Sequence, residues 1–315
     1  MDHATAAASG ARRRLLRAAQ IALPIAGMMA ALYVLWRTVD FGKALRVVRE
    51  ADPVWVLLAF GCAMIPPLLA STRVWLLARS VGIGVAWRVC WNAVMASISV
   101  GLVLPGKSGE FAKIYFLCGQ REQVARIAGA VVLERVLDIL VLAVLSLCGG
   151  LIQQWTEAVL GAAAVAGGAL FGLIALRLAH RLPAPRLAAR LAEAGEAARR
   201  LGQSPGIAGA VILLTVAVWI ALTATVWLML RAVGAGPPLA ATMIAAPLAI
   251  LAGAMPVSVS GIGTRDGVLV LLLSPFASAP VVLAASFLYT VVVRWLLALL
   301  GLAALGGETL RKARK

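Results

Sequence analysis

The sequence predicts an all-α polytopic membrane protein with about six full spans and two opposed re-entrant hairpins, or about eight transmembrane segments if the hairpins cross the bilayer. Three observations carry this. The 315-residue chain is 62% hydrophobic and 13% charged, against about 25% charged in soluble domains. Apolar runs long enough for the roughly 30 Å hydrocarbon core recur along it. Two of them are broken by proline and glycine and then carry a cation and a carboxylate: Leu104–Lys113 (LPGKSGEFAK) and Met255–Gly267 (MPVSVSGIGTRDG). Backbone freed at membrane depth must be buried in protein or line a wet cavity, and paired breaks in two halves of a chain point to a transport-type site.

Taken in order, Arg12, Arg13, Arg14 and Arg17 precede the apolar run Ala18 to Trp36. That run is too long for a signal-peptide core and lacks a small-residue cleavage site, so it reads as an uncleaved first helix. Phe41–Glu50 alternates basic and apolar residues at helical spacing, as an interfacial helix does. Pro53 opens a second span reaching about Ala70, with a kink expected at Pro66-Pro67. Arg73, Arg79 and Arg88 then flank a short apolar segment. Ala86 to Cys118 is apolar but breaks at Pro105, and Ile127–Gly150 and Trp155–Leu176 are full spans. A basic loop and amphipathic helix follow, carrying Arg177 to Arg200. Ile207–Leu230 spans again, Ala240–Leu273 surrounds the second break, and Val281–Leu305 is the last span.

Loop charge sets the topology. The N-terminal tail (1–17), the basic linker (177–205) and the C-terminal tail are the most cationic regions, so both termini are placed in the cytoplasm. Gln153-Gln154 and Gly234–Pro238 go outside. Arg37, Lys43, Arg46 and Arg49 run against this count and are read as lying along the headgroups. The chain then closes only if Ala86–Cys118 enters and leaves from the cytoplasm and Ala240–Leu273 from outside. This makes an inverted repeat of halves 53–178 and 206–305 within one integral membrane domain, 1–315. A rival count treats each hairpin arm as a tilted span.

Composition also excludes function classes. The net charge is +16, but the cations cluster at membrane-flanking ends without aromatic stacking platforms, which argues against nucleic acid. Cys62, Cys90, Cys118 and Cys148 lack metal or redox spacing, and His3 and His180 are the only histidines. Neither a cofactor, a metal nor a catalytic residue is expected.

The candidate binding residues sit in the breaks and at two charged positions inside spans. Pro105, Pro256 and Ser260 belong to the helix breaks, where Gly106, Gly109, Gly261 and Gly263 free backbone amides that bind anions. Lys107, Lys113 and Arg265 strengthen phosphate binding, and Glu110 and Asp266 hold those cations, accept a proton or meet a cationic headgroup. Glu134, Arg135 and Asp138 fall about eight residues into a span, with the carboxylates on one face and in negative excess. That excess can recruit Lys113 or Arg294, the latter placed near the middle of the last span without an acidic neighbour in sequence. The competing reading is structural: packed helix breaks and a static inter-helix pin.

At LPGKSGEFAK (104–113), LERVLD (133–138) and MPVSVSGIGTRDG (255–267) the chain resembles the flippase-like transmembrane family that forms the membrane half of lysylphosphatidylglycerol synthases. Their order and spacing, with overall length and hydropathy, extend the resemblance over nearly the whole chain. Ser260 stands where the family usually has a glycine, Asp266 where it has a glutamate, and Lys113 where arginine is common. The resemblance implies a bacterial cytoplasmic-membrane lipid translocase that binds an anionic phospholipid, an aminoacyl lipid, a hopanoid or a polyprenyl lipid. It also leaves room for a homo-oligomer or a lipid-synthesis enzyme as partner. The alternative is a membrane-embedded enzyme or accessory subunit of lipid, hopanoid or glycolipid synthesis, similar to a glycosyltransferase.

Overall fold

Helix starts in this protein are set by local chemistry that is easily read. In the computed structural model, which describes residues 40–103, 108–118, 123–152, 154–177, 185–254 and 263–302, α1 (Phe41–Arg49) begins at Asp40. The Asp40 carboxylate accepts the Lys43 N–H at 3.0 Å. Helix α2 (Pro53–Ala63) begins at Asp52, which accepts the Val54 N–H at 2.8 Å, and has its proline at the first turn, where no N–H is needed. The Asp52 N–H in turn donates to the Ala232 carbonyl at 2.8 Å, tying this start to the end of α9 (Pro205–Ala232).

After one residue, Met64, the chain enters α3 (Ile65–Ser80). Together α2 and α3 make a 28-residue candidate span, Pro53–Ser80. The expectation of a span ending near Ala70 is therefore corrected. Pro66 and Pro67 lie in the first turn of α3 rather than in a helix interior, so they interrupt nothing downstream. The break falls just ahead of them, and Arg73 moves from a presumed flank to the inside of the span.

The first broken segment folds back on itself. Helix α4 (Trp87–Val103) is followed by a 3₁₀ turn (Ser108–Phe111) and α5 (Ala112–Leu117), and both pack against α4. Gly109 lies against Gly101, and a Cβ at Gly109 would overlap the Gly101 backbone. Helices α6 (Gln123–Ile152) and α7 (Thr156–Arg177) then run side by side, and the amphipathic α8 (Pro185–Gly202) lies across α6. The second broken segment is α10 (Leu239–Ala254) packed on α11 (Thr264–Leu273). The chain continues into α12 (Ala279–Thr290), whose helix goes on through a π-helical stretch, Val291–Leu296, to Leu302.

Every described element is helical, and three stretches are long and apolar enough to cross a membrane: Pro53–Ser80, Pro205–Ala232 and Ala279–Leu302. Helix α6 has the length, at 30 residues, but its apolar run is interrupted by Glu134, Arg135 and Asp138. Two apolar clusters organise the interior. One joins α2, α9, α10, α11 and α12 around Met229, Leu273 and Val292; the other joins α3, α4, α5, α6 and α8 around Leu77, Val94 and Ile127. Each cluster thus contains one hairpin, and Ile98 of α4 packs against both. The first helix expected at 18–36 lies outside the described residues.

The Gly109 contact gives a direct test of the packing. Gly109→Ala should lower the unfolding free energy by about 1–3 kcal/mol, as overpacking does, because the obstructing atoms are backbone. Gly168→Ala, inside α7 where an added Cβ meets nothing within 4 Å, should instead raise it by up to about 1 kcal/mol through helix propensity. Unfolding of purified protein in mixed micelles measures both.

Candidate functional site

Three buried or half-buried cations meet three carboxylates where α3, α5 and α6 converge. Lys113 on α5 reaches Glu110 at 2.6 Å and Glu134 at 3.0 Å. Arg73 on α3 donates from Nη1 to Asp138 Oδ1 at 2.6 Å and from Nη2 to Glu134 Oε1. Arg135, one residue along from Glu134 on α6, turns to Asp138 at 2.7 Å and to Glu110 at 3.4 Å. From α9, Trp219 donates its indole N–H to Asp138 Oδ1 at 2.9 Å, and the Thr215 hydroxyl accepts from Arg73 at 3.2 Å. Arg73, Lys113, Glu134 and Asp138 are each no more than 3% exposed. Ions this far from water survive only when matched and hydrogen-bonded, and here each ion has several partners.

A second, smaller group forms where α11 meets α12. Its helix begins at Gly263, whose φ of +91° suits glycine. Asp266 accepts the Gly263 N–H at 3.0 Å and so caps that start. The same carboxylate takes Arg265 Nη2 at 2.6 Å and the Ser286 hydroxyl at 2.6 Å. Arg265 also donates to Thr290 Oγ1 at 2.6 Å and lies over the Tyr289 ring, 5.0 Å from its centroid, a cation–π contact. Of the roles open to Asp266 from sequence, holding its neighbouring arginine is the one the geometry displays.

One cavity of about 130 Å³ joins the two groups. Glu110, Lys113, Arg135, Asp138 and Arg73 line it from one side, and Arg265, Tyr289 and Arg294 from the other. Its remaining wall includes Ala63, Pro66 and Pro67 at the α2–α3 break, Ile98 of α4 and Gly253 at the end of α10. Described residues flanking both breaks, Glu110 and Lys113 for the first and Gly253 and Arg265 for the second, therefore border the same space. Ile98, Trp219, Leu222, Ile250, Val293 and Leu297 make most of the rest of the lining apolar.

The sequence-predicted residues divide by position. Glu110, Lys113, Arg135, Asp138, Arg265 and Arg294 face the cavity, while Glu134 and Asp266 stand behind it as buried counter-ions. Gly109 and Gly263 act through backbone geometry. Pro105, Gly106, Lys107, Pro256, Ser260 and Gly261 lie outside the described residues. The partner anticipated for the Glu134 and Asp138 excess is Lys113, as one option had it, joined by Arg73. Arg294, the other option, forms no ion pair or hydrogen bond among the described residues.

Arg73 is the residue sequence reasoning missed. Spacing alone gives no signal for it: at 1.5 Å per residue position 73 lies about 30 Å along a helix begun at Pro53, at the far edge of the hydrocarbon core, where a flanking arginine is expected. Ending the span near Ala70 leaves Arg73 on its flank, whereas the helix runs on to Ser80. Trp219, Ser286 and Thr290 were passed over because lone polar groups in apolar spans carry no pattern.

The architecture defines a multi-pass helical membrane protein with a buried, charge-lined cavity between two broken helical hairpins. Residues 20–301 match the family described as the lysylphosphatidylglycerol synthase transmembrane region, and the chain belongs to that family. The family relates it to lipid modification or transport. No curated protein is significantly similar to the chain.

Arg73 provides the sharpest energetic test. Arg73→Leu leaves Glu134 and Asp138 short of a cation and should cost roughly 3–5 kcal/mol of stability, as breaking a buried ion pair does. Adding Asp138→Leu should recover part of that loss. A double-mutant cycle on the micelle-unfolding free energies reads the coupling; additive losses would mean that the pair does not hold α3 to α6.

Proposed function

We propose that this protein is a flippase-like lipid transporter of the bacterial cytoplasmic membrane, working without covalent chemistry. An anionic or zwitterionic headgroup enters the cavity between the two hairpins while its acyl chains stay in the bilayer. The observation that carries this reading is that charged residues of both broken segments border one space. A static pin needs matched ions; it does not need a cavity flanked by two unrelated ion groups.

On this reading the roles follow from who is already engaged. Lys113, Arg73 and Arg135 are held by carboxylates, so that side is a rigid, nearly neutral polar wall. Arg265 is clamped by Asp266, Ser286 and Thr290, which fix the position and direction of its guanidinium at the second wall. Preorganised groups of this kind bind charge without first having to rearrange. The two hairpins are re-entrant and opposed, as an inverted repeat, so that rocking one half against the other exposes the cavity to each leaflet in turn.

Reconstituted vesicles test this. Wild type should accelerate flipping of at least one headgroup-labelled lipid among phosphatidylglycerol, aminoacyl-phosphatidylglycerol and polyprenyl phosphate. Arg265→Ala should reduce that rate by about tenfold or more, since it removes the fixed guanidinium of the second wall, with Arg265→Lys intermediate and both variants folded by circular dichroism. Failure of well-folded wild type to move any of these lipids would contradict the proposal and favour a role inside a biosynthetic complex.

A further inference from the structure

The cavity is electrically one-sided, which bears on what it accepts. Each carboxylate at its edge is already matched. Glu110 faces Lys113 at 2.6 Å and Arg135 at 3.4 Å. Asp138 faces Arg73 at 2.6 Å and Arg135 at 2.7 Å and accepts from Trp219 at 2.9 Å. Behind them, Glu134 and Asp266 are likewise occupied by Lys113, Arg73 and Arg265. Arg294 alone among the described cavity cations has no carboxylate within 4.0 Å.

The consequence differs for cations and anions. An ammonium entering this space finds only carboxylates that already face a cation. It must share a carboxylate with an Arg or Lys already held there, beside that like charge. An anion meets Arg294 directly, a planar fork suited to two oxygens of a phosphodiester or carboxylate, and relieves a charge that is otherwise expensive at membrane depth. Arg294 also sits within the π-helical stretch Val291–Leu296, a local departure from α geometry of the kind that gathers at functional sites.

We propose that the cavity selects a singly charged anionic headgroup lacking an ammonium, a phosphodiester or carboxylate, and that Arg294 is its specificity-determining residue. This rests on the reading that a headgroup enters the cavity, and it narrows the anionic or zwitterionic choice to the former.

Native mass spectrometry of the full chain in detergent tests it, with phosphatidylglycerol, phosphatidylethanolamine, lysyl-phosphatidylglycerol and soluble glycerophosphate as probes. Wild type should bind phosphatidylglycerol about tenfold more tightly than either amine-bearing lipid, the ratio expected for one charge-assisted contact. Arg294→Gln should remove that preference and Arg294→Lys should restore part of it. Comparing variants separates the cavity from the basic surface, which they share. Equal or tighter binding of the lysyl lipid by wild type would overturn the proposal, as would an unchanged preference in Arg294→Gln. The wild-type ratios decide the matter even if a variant fails to fold. Binding of glycerophosphate that is lost in Arg294→Gln, without phosphatidylglycerol binding, would uphold the anion preference while removing the lipid reading beneath it.

Discussion

Charge buried among membrane helices has to be matched by charge, and the architecture of this protein follows from that constraint. Arg73, Lys113 and Arg135 share Glu110, Glu134 and Asp138, so helices α3, α5 and α6 cannot separate without stranding an ion. The short helix α5 has only six residues, too few to hold itself in place by its own hydrogen bonds. Lys113 anchors it. The first hairpin thus keeps its shape because an ion network in the span beside it requires Lys113 to be where it is.

The second hairpin is secured by a different device. Asp266 holds the first turn of α11 through the Gly263 amide and joins it to α12 through Ser286 and Arg265. One carboxylate therefore serves as cap, counter-ion and inter-helix link. Around these polar pins the two apolar clusters fill the rest of the interior, and Ile98 connects them. Since helix association in lipid gains little from apolar burial alone, close packing and polar contacts have to provide specificity. Gly109 against Gly101 and the paired ion groups supply both.

Much of this was legible in the sequence. Low charge and long apolar runs specify an all-helical membrane protein. The spacing of Glu134, Arg135 and Asp138 shows that they share a span, and proline–glycine–cation–carboxylate order marks both hairpins. What could not be read is which cation meets which carboxylate, because that depends on how helices distant in sequence are packed. A span ended near Ala70 puts Arg73 on its flank, whereas the helix runs on to Ser80. The double proline reads as a kink when only local rules are applied, yet after the break at Met64 it occupies the first turn of a new helix, where proline is tolerated. Arg294 could be placed in the last span but not matched to a partner, and in the folded chain it remains the cavity cation without a carboxylate among the described residues.

The central claim is that both broken segments border one headgroup-accepting space. Photocrosslinking in native membranes tests it most directly, using a phospholipid with a reactive group on its headgroup and mapping the adducts by peptide sequencing. The account predicts adducts on both sides of the cavity, at Ser97 or Ile98 and at Tyr289 or Val293, all of which line it. Adducts confined to outward-facing positions such as Leu57, Phe171 and Leu213, each more than two-thirds exposed, would show that lipid touches only the outer surface and would contradict it.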